Sequence, residues 1–260
     1  MTGDVYIMIS IKSEKEIAKM REICKIVALA HEEIKKHVKV GVTTKELDEV
    51  TEKFFLSHGC NCSCKGYPHG DPNPFPATAC ISVNDEVIHG IPSNRKLKDG
   101  DLVCIDIVAD KDGYFGDATR SYVVGEGSEE AKRLVKVTEE SFWEGIKYAK
   151  PGNRVSDISH AIQMYVEDNG YSVVREFQGH GIGTSMHEDP GVPNYGKAGR
   201  GPRLEAGMTL AVEPMVNEGR ADIIEDEDGW TVLTEDGKLS AHYENTILIT
   251  KNGAEVLTIV

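Results

Sequence analysis

Apolar residues recur at helical spacing in two pairs of segments, one pair in each half of the chain. A capping box at Ser13 and Glu16 predicts the start of the first helix. The apolar face of this helix carries Ile17, Met20, Cys24, Val27 and Ile34. After a break at Gly41, a second helix is predicted from Thr43 to the glycine at position 59. Its apolar face carries Leu47, Val50 and Phe54.

The same pattern returns later in the chain. One helix is predicted over Glu129–Ala149, before Pro151, and another over Ser156–Asn169. The strand patterns also repeat, because Leu97–Asp106 aligns with Leu204–Glu213 without a gap. Leucine, a turn glycine and a terminal acid fall at matching offsets in both copies. We therefore predict an α/β fold of the α+β type, in which helices cover a central sheet built from two similar halves.

These halves span roughly residues 10–125 and 126–255 of one catalytic domain over residues 1–260. Because each aligned strand pattern ends on a carboxylate, a site between the halves would receive an acid from each.

Composition limits the function classes. The 260 residues are 40% hydrophobic, which is enough for a substantial core, and the formal net charge of -14 argues against broad binding to nucleic acid or anionic membrane. The apolar runs are too short to span a bilayer, and Val5–Ile11 is too short for a signal peptide. We therefore expect a soluble cytoplasmic protein that binds neither membrane nor specific nucleic-acid sequences.

Six cysteines occur without a CxxC pair. Three of them form the C-x-C-x-C run at Cys60, Cys62 and Cys64, which could suggest a metal site. Zinc sites usually combine two ligand pairs, with two to four residues between the members of each pair. We therefore favour free thiols over a metal site or a disulfide framework.

Two acids stand in neighbouring apolar strand patterns. Asp106 lies among Leu, Val, Cys and Ile, and the turn at 111–113 returns the chain so that Asp117 falls on the paired strand. A carboxylate in an apolar strand costs several kcal/mol unless it is paired or binds a cation. A salt bridge to Arg120 is the simplest structural alternative. We favour a divalent cation, because it would relieve the repulsion between two facing carboxylates.

Further acids and histidines extend this pattern. Glu213 and Glu244 also stand in apolar strands, and glycines on both sides of His180 leave room for a close approach. His89 and His187 are weaker candidates taken alone. Five further histidines are expected on the surface or in packing roles: His31, His37, His58, His69 and His160.

Four carboxylates and one histidine form a hard, oxygen-rich ligand set. Such a set suits Mn²⁺, Fe²⁺ or Co²⁺, and suits zinc less well. So many carboxylates suggest two metals roughly 3.5–4 Å apart with shared ligands, which is an arrangement for hydrolysis.

In this order and on these strand types, the five candidate ligands resemble those of the "pita-bread" metallopeptidases. Within that group the chain resembles the type I methionine aminopeptidases over nearly its whole length. The matching segments are Ile11–Ser13, Lys19–Arg21, Gly41–Thr44, Ser82–Pro92, Gly179–Gly183, Val212–Met215 and Tyr243–Thr246. The resemblance implies a pita-bread fold with a curved, mainly antiparallel sheet and pseudo-two-fold halves. It also implies removal of the initiator methionine from nascent proteins when the second residue is small.

The resemblance assigns a role to each candidate ligand. Asp106 would chelate one metal, while His180 and Glu213 would bind the other. Asp117 and Glu244 would bridge the two metals, and Glu213 would also carry the proton during catalysis.

The two weaker histidine candidates also receive roles by resemblance. His89 and His187 would bind the substrate peptide group and help to stabilise the tetrahedral intermediate.

The resemblance also places a methionine pocket, which Phe75, Cys80 and Trp230 would line. This pocket departs from the family pattern, because relatives typically carry tyrosine at Phe75 and often an aromatic residue at Met186. The stretch Gly66–Pro74 is also longer and richer in proline than the family pattern.

Several expectations about partners and cofactors follow from the resemblance alone. Asn84 matches a position associated with a monovalent cation. The family is typically monomeric, and transient contact with the ribosome would give access to N-terminal peptides of nascent proteins. The compact bacterial form of the enzyme fits best.

Two other functions remain open at this point. A prolidase or aminopeptidase P shares the ligand set but usually carries an additional N-terminal domain, for which this chain is expected to have no room. A catalytically inactive binding module typically loses ligands, whereas all five are present here.

Overall fold

The computed structural model describes residues 9–260, so most of the segment Val5–Ile11 lies outside the described residues. It contains the four predicted helices: α1 (Glu14–Lys35), α2 (Thr44–Ser57), α3 (Glu129–Ile146) and α4 (Val155–Asp168). Both predicted capping boxes are present at the starts of α1 and α2. α3 ends earlier than expected, because the amides of Tyr148 and Ala149 bond three residues back in a tight turn. None of the helices in this part of the chain is long and apolar enough to cross a membrane.

Within residues 9–260, fifteen strands form one large sheet and two small ones. They are β1 (Asn61–Cys62), β2 (Ala79–Val83), β3 (Glu86–Ile88), β4 (Leu102–Lys111), β5 (Tyr114–Val123), β6 (Ser172–Val173), β7 (Gln178–Gly181), β8 (Glu188–Pro193), β9 (Thr209–Val212), β10 (Met215–Asn217), β11 (Ile223–Glu225), β12 (Val232–Thr234), β13 (Ser240–His242), β14 (Glu244–Thr250) and β15 (Gly253–Val256).

The large sheet has the order β1-β4-β5-β14-β9-β7-β8, with β2 also paired to β4 and β15 to β14. All of its pairings are antiparallel. The small sheets have the orders β13-β10-β6 and β11-β12-β3. The expected mainly antiparallel sheet covered by helices is therefore confirmed.

Each pair of helices has its own apolar core. Residues of α1 and α2 pack with β2, β4 and β5, including Met20, Phe55 and Ile105. Residues of α3 and α4 pack with β9 and β14 in a second cluster that includes Phe142 and Ile247. Both cores lie on one continuous sheet, since β5 pairs directly with β14. This is the layout expected from two similar halves, although the duplication itself stays a prediction.

One detail of the strand alignment is wrong. Asp106 does not end its strand, because β4 continues to Lys111 before the hairpin turns. The turn falls at Asp112 and Gly113, both of which have positive φ angles of the kind that tight hairpins require. Glu213 directly follows β9, as expected, and Glu244 is the first residue of β14.

Candidate metal centre

Five neighbouring strands of the large sheet each carry one predicted ligand in the strand or just after it. In sheet order they are Asp106 on β4, Asp117 on β5, Glu244 on β14, Glu213 after β9 and His180 on β7. Residues two apart along a strand share a face, and residues paired across strands do so as well. The sheet therefore brings together residues that are far apart in sequence.

Thr119 lies at the middle of this arrangement. It is the Cα partner of Asp106 on one side and of Glu244 on the other. Its hydroxyl donates to Glu244 Oε2 at 2.9 Å. Asp117 precedes Thr119 by two residues, so the three carboxylates share one face of the sheet.

His180 joins this group through its Nε2 atom. This atom lies 3.7 Å from Asp117 Oδ2 and 3.7 Å from Glu213 Oε1. In the described part of the chain, ligand atoms of Asp117, His180 and Glu244 all lie within 4.8 Å of one another.

The hydrogen bonding of His180 suits a metal ligand. Nδ1 lies 2.8 Å from the Gly181 carbonyl oxygen, so the ring donates there and leaves the Nε2 lone pair toward the acids. Burial, with a contribution from His187, lowers the pKa of His180 to about 4, so the ring is neutral near neutral pH.

The carboxylates are poorly compensated by protein groups. Asp106 Oδ1, Asp117 Oδ1 and Glu244 Oε1 are buried without a hydrogen-bond partner among residues 9–260. Burial raises the pKa of Asp106 to about 6. Burial and the neighbouring acids raise the pKa values of Asp117, Glu213 and Glu244 well above their ordinary range. These orphaned oxygens and repelling charges fit divalent cations.

The alternative partner, Arg120, points to different groups. Its guanidinium donates to the carbonyl oxygens of Thr119, Glu244 and Thr258 and to the Asn245 side chain. It also lies over the Tyr243 ring, 4.8 Å from the centroid. Arg120 therefore links β5 to β14 and the C-terminal segment, which accounts for it without a salt bridge to Asp106.

The acids line a cavity of about 640 Å³, which also has an apolar wall. Phe75, Cys80 and Met186 are buried there in one apolar cluster with Trp230 beside them. The Phe75 and Trp230 rings meet edge to face at 5.2 Å. All three predicted pocket residues, and Met186, therefore line the cavity.

The long proline-rich stretch is closed at its ends. The amide of Gly66 donates to the Phe75 carbonyl oxygen at 2.8 Å, and the amide of Phe75 donates back to Tyr67 at 2.7 Å. Trp230 Nε1 donates to the Asn73 carbonyl oxygen at 3.0 Å. This stretch therefore forms a loop that is tied to the pocket's tryptophan.

His89 and His187 also line the cavity. His89 has a φ angle of 59°, a left-handed conformation that is uncommon outside glycine and often marks functional sites. Burial lowers its pKa to about 4. The His187 ring lies 4.5 Å from that of His180, and its Nδ1 lies 2.7 Å from the Tyr67 hydroxyl.

Sequence reasoning missed several residues of this cavity, of which His242 and Tyr67 contact the proposed site residues. His242 is buried, and its partnerless Nε2 atom lies 3.8 Å from Glu213 Oε2. Its position two residues before Glu244, on the same segment, was the available signal. Tyr67, which orients His187, gave no signal because the two residues are 120 positions apart.

The cysteines and Asn84 are the remaining candidate features. The cysteines form no disulfide within residues 9–260; Cys60 packs in the core under α1 and α2, whereas Cys64 lines the cavity. Asn84 bonds to Asp101 and to the amides of Leu102 and Ser240, so its polar groups have protein partners. The monovalent cation at Asn84 stays a prediction.

Comparison with known proteins agrees with this geometry. Residues 18–251 match the model of metallopeptidase family M24. Methionine aminopeptidase 1 of Bacillus subtilis is 52% identical, over 96% of this chain and 99% of the relative. The crystal structure of methionine aminopeptidase from Rickettsia prowazekii matches with a TM-score of 0.94 at 43% identity, over 97% of this chain and all of that one.

Prolidases match less completely. The prolidase from Pyrococcus horikoshii superposes with a TM-score of 0.76 at 26% identity, and the match covers only 63% of its chain. These likenesses confirm the pita-bread fold. The chain belongs to metallopeptidase family M24, in which its high-identity relatives are methionine aminopeptidases.

Proposed function

We propose that this chain is a metal-dependent aminopeptidase that removes the initiator methionine from nascent proteins when the second residue is small. The observation that carries the proposal is a single cavity that joins a floor of uncompensated carboxylates to an apolar wall. The floor suits cations and hydrolysis, and the wall suits a thioether side chain. The high-identity methionine aminopeptidases support this reading.

Asp106, Asp117, His180, Glu213 and Glu244 would hold two divalent cations, with Mn²⁺, Fe²⁺ and Co²⁺ as candidates. When bound, such a pair supplies positive charge for the peptide carbonyl and lowers the pKa of a water. We assign Asp106 to one cation, His180 and Glu213 to the other, and Asp117 and Glu244 to both.

Glu213 is proposed to move the proton. Its carboxylate sits between the rings of His180 and His242, at 3.7 Å from Nε2 of the first and 3.8 Å from Nε2 of the second. Glu213 would accept a proton from the attacking water and pass it to the leaving amine.

His89 and His187 are proposed to donate to the substrate peptide group. If the Tyr67 hydroxyl donates to Nδ1 of His187, Nε2 carries the ring proton and can donate to a carbonyl oxygen. Both rings are partly desolvated, which strengthens such a bond as charge develops on that oxygen.

A substrate comparison tests the proposed function. Metal-loaded protein is expected to cleave Met-Ala-Ser and to leave an Ala-Pro dipeptide largely intact, as measured by amine release. Cleavage of the proline substrate alone would favour a prolidase. If Mn²⁺, Fe²⁺ and Co²⁺ all fail to support cleavage of either peptide, the binding-module reading would replace the enzyme.

A second prediction concerns metal binding and pH. We expect Mn²⁺ at about a hundred times its dissociation constant to raise the melting temperature by roughly 5–10 °C near pH 8. The gain should shrink as pH falls from 8 to below 6, because protons then compete for all four carboxylates, whose pKa values are raised, that of Asp106 to about 6. His180, with its pKa near 4, stays neutral over this window.

Thermal melts of metal-free and Mn²⁺-loaded protein at several pH values measure this difference directly. The pH effects common to both forms cancel in the difference. A gain that is independent of pH would contradict a site built from these carboxylates.

The remaining expectations are proposed on family grounds. We propose a cytoplasmic monomer that meets N-terminal peptides of nascent proteins, with transient contact to the ribosome. A monovalent cation at Asn84 is part of the same proposal.

A further inference from the structure

Lys12 forms a buried ion pair with Glu188, which lies 176 positions later in the sequence. Lys12 lies just before α1, and its backbone amide donates to the Gly207 carbonyl oxygen at 2.8 Å. Its Nζ atom lies 2.6 Å from Glu188 Oε2, and the two side chains are only 3% and 13% exposed. The other lysine and arginine ion pairs of residues 9–260 are much more exposed.

Glu188 uses its second oxygen to close a loop. Oε1 accepts hydrogen bonds from the amides of Thr184 and Ser185 at 2.7 and 3.2 Å. Burial raises the Glu188 pKa, but Lys12 and these amides outweigh burial and hold the pKa below its ordinary value. The carboxylate is therefore a charged link between the N-terminal segment and the loop 182–188.

Gly183 makes room for this link. A Cβ atom at this position would lie 2.5 Å from Cε of Lys12 and 2.7 Å from Oε1 of Glu188. Real Cβ contacts of this length are essentially unknown, and both neighbours are held by the ion pair. A glycine is therefore required at position 183 because the Lys12 side chain packs against it, and not because substrate approaches there.

Besides Glu188 itself, the loop carries two residues that line the cavity. Met186 is part of its apolar wall, and His187 lies against His180 and Tyr67. Ile182 and Met186 are buried, whereas Thr184, Ser185 and His187 are exposed. Backbone hydrogen bonds to Thr209 and Phe115 hold Ile182 and Gly183, while the amides of the exposed Thr184 and Ser185 are held by Glu188, which is paired with a buried positive charge.

We propose that Lys12 is a positioning residue, which acts through Glu188 to hold the loop 182–188 and so to place His187 and Met186 in the cavity. The role of the loop in catalysis rests on the proposed function. The clamp, by which we mean the Lys12–Glu188 ion pair and the hydrogen bonds of Glu188 to the loop, does not. Removing the lysine leaves a buried carboxylate without its cation, a change that loosens the groups bound to it.

The test compares Lys12→Met with Lys111→Met, whose lysine pairs with Glu22 at 2.8 Å in a more exposed setting. For Lys12→Met, kcat for Met-Ala-Ser is expected to fall on the order of 10- to 100-fold, because small displacements of a catalytic group are costly. The control should stay within about twofold of wild type, since exposed ion pairs contribute little.

Hydrogen exchange of the metal-free protein provides a readout that does not depend on activity. In Lys12→Met, exchange at the Thr184 and Ser185 amides should accelerate about tenfold or more, while β4 and β14 stay unchanged. An even acceleration over the whole chain, or none in the loop, would overturn the clamp. Wild-type protein that cleaves no methionine peptide would reject the proposed function, and the exchange pattern would still decide the clamp.

A double-variant cycle separates positioning from general weakening. In a His187→Ala background, Lys12→Met should reduce kcat by no more than about threefold, because its effect passes through the missing ring. A full additional loss in that background would contradict positioning of His187.

If Lys12→Met folds poorly, Lys12→Met with Glu188→Gln removes the unpaired charge and keeps an oxygen for the amides. Its loop should exchange faster than wild type, and wild-type exchange there would refute the proposal.

Discussion

Replacing Glu213 by glutamine is expected to lower kcat on the order of 10³-fold or more, because general acid–base catalysis contributes about 10²–10⁴-fold. The amide has nearly the same shape but cannot accept a proton from water. The fold should survive, since the change removes a charge that Glu244 and Asp106 repel. Steady-state kinetics on Met-Ala-Ser and circular dichroism measure both effects.

Glu205→Gln provides a matched control, because Glu205 is an exposed acid in the same half of the chain. Its kcat should stay close to that of wild type. Metal content of Glu213→Gln must be measured as well, since Glu213 is also a proposed ligand. A variant that retains metal and turns over at the wild-type rate would remove Glu213 from the proton-transfer role.

The acids of the centre could be predicted from sequence because the apolar residues that surround them are their neighbours in the sequence. Asp106, Glu213 and Glu244 each interrupt an apolar strand pattern, and such an interruption is costly unless a partner is present. The hairpin turn at 111–113 placed Asp117 on the strand next to Asp106, and the observed pairing confirms it.

Which strands become neighbours was harder to predict. The order β4-β5-β14-β9-β7 joins segments from both halves, and it depends on the whole sheet. The repeated pattern predicted that acids from both halves would meet, but not that Thr119 would stand between Asp106 and Glu244. The sequence also gave no sign that β4 would extend beyond Asp106.

Contacts between remote side chains account for most of what was missed. Lys12 and Glu188 are separated by 176 positions, and Tyr67 and His187 by 120. Nothing in the local pattern of either partner indicates the other. The glycine at position 183 stands out in the sequence, but the contact that requires it, with the side chain of Lys12, does not.

Asp117→Asn is expected to make the metal-free protein more stable while nearly abolishing activity. Burial, then Glu244, Asp106 and Glu213, raise the pKa of Asp117 well above its ordinary value. An acid whose pKa is raised on folding destabilises the folded state at pH values above its unfolded pKa, and the cost grows up to the folded pKa. A neutral amide removes this cost, so the melting temperature near pH 8 should rise by about 2 °C or more.

The same change should weaken metal binding, because a proposed ligand of both cations is lost. Kcat should fall on the order of 10³-fold, since metal charge contributes several kcal/mol to the transition state and each 1.36 kcal/mol is about tenfold in rate. The stabilisation by Mn²⁺ should shrink in parallel. Thermal melts with and without Mn²⁺, together with kinetics, measure all three quantities.

Asp110→Asn on β4 is the matched control, because the Asp110 carboxylate accepts hydrogen bonds from Asn61 and Ser63 at 2.9 and 3.0 Å. Removing a satisfied carboxylate should leave the melting temperature unchanged or lower it. The contrast between the two variants separates a carboxylate that stabilises the metal-free fold, Asp110, from one that destabilises it, Asp117. If metal-free Asp117→Asn melts below wild type, the cluster is not strained without cations. The argument that its carboxylates are arranged for metal would then fail.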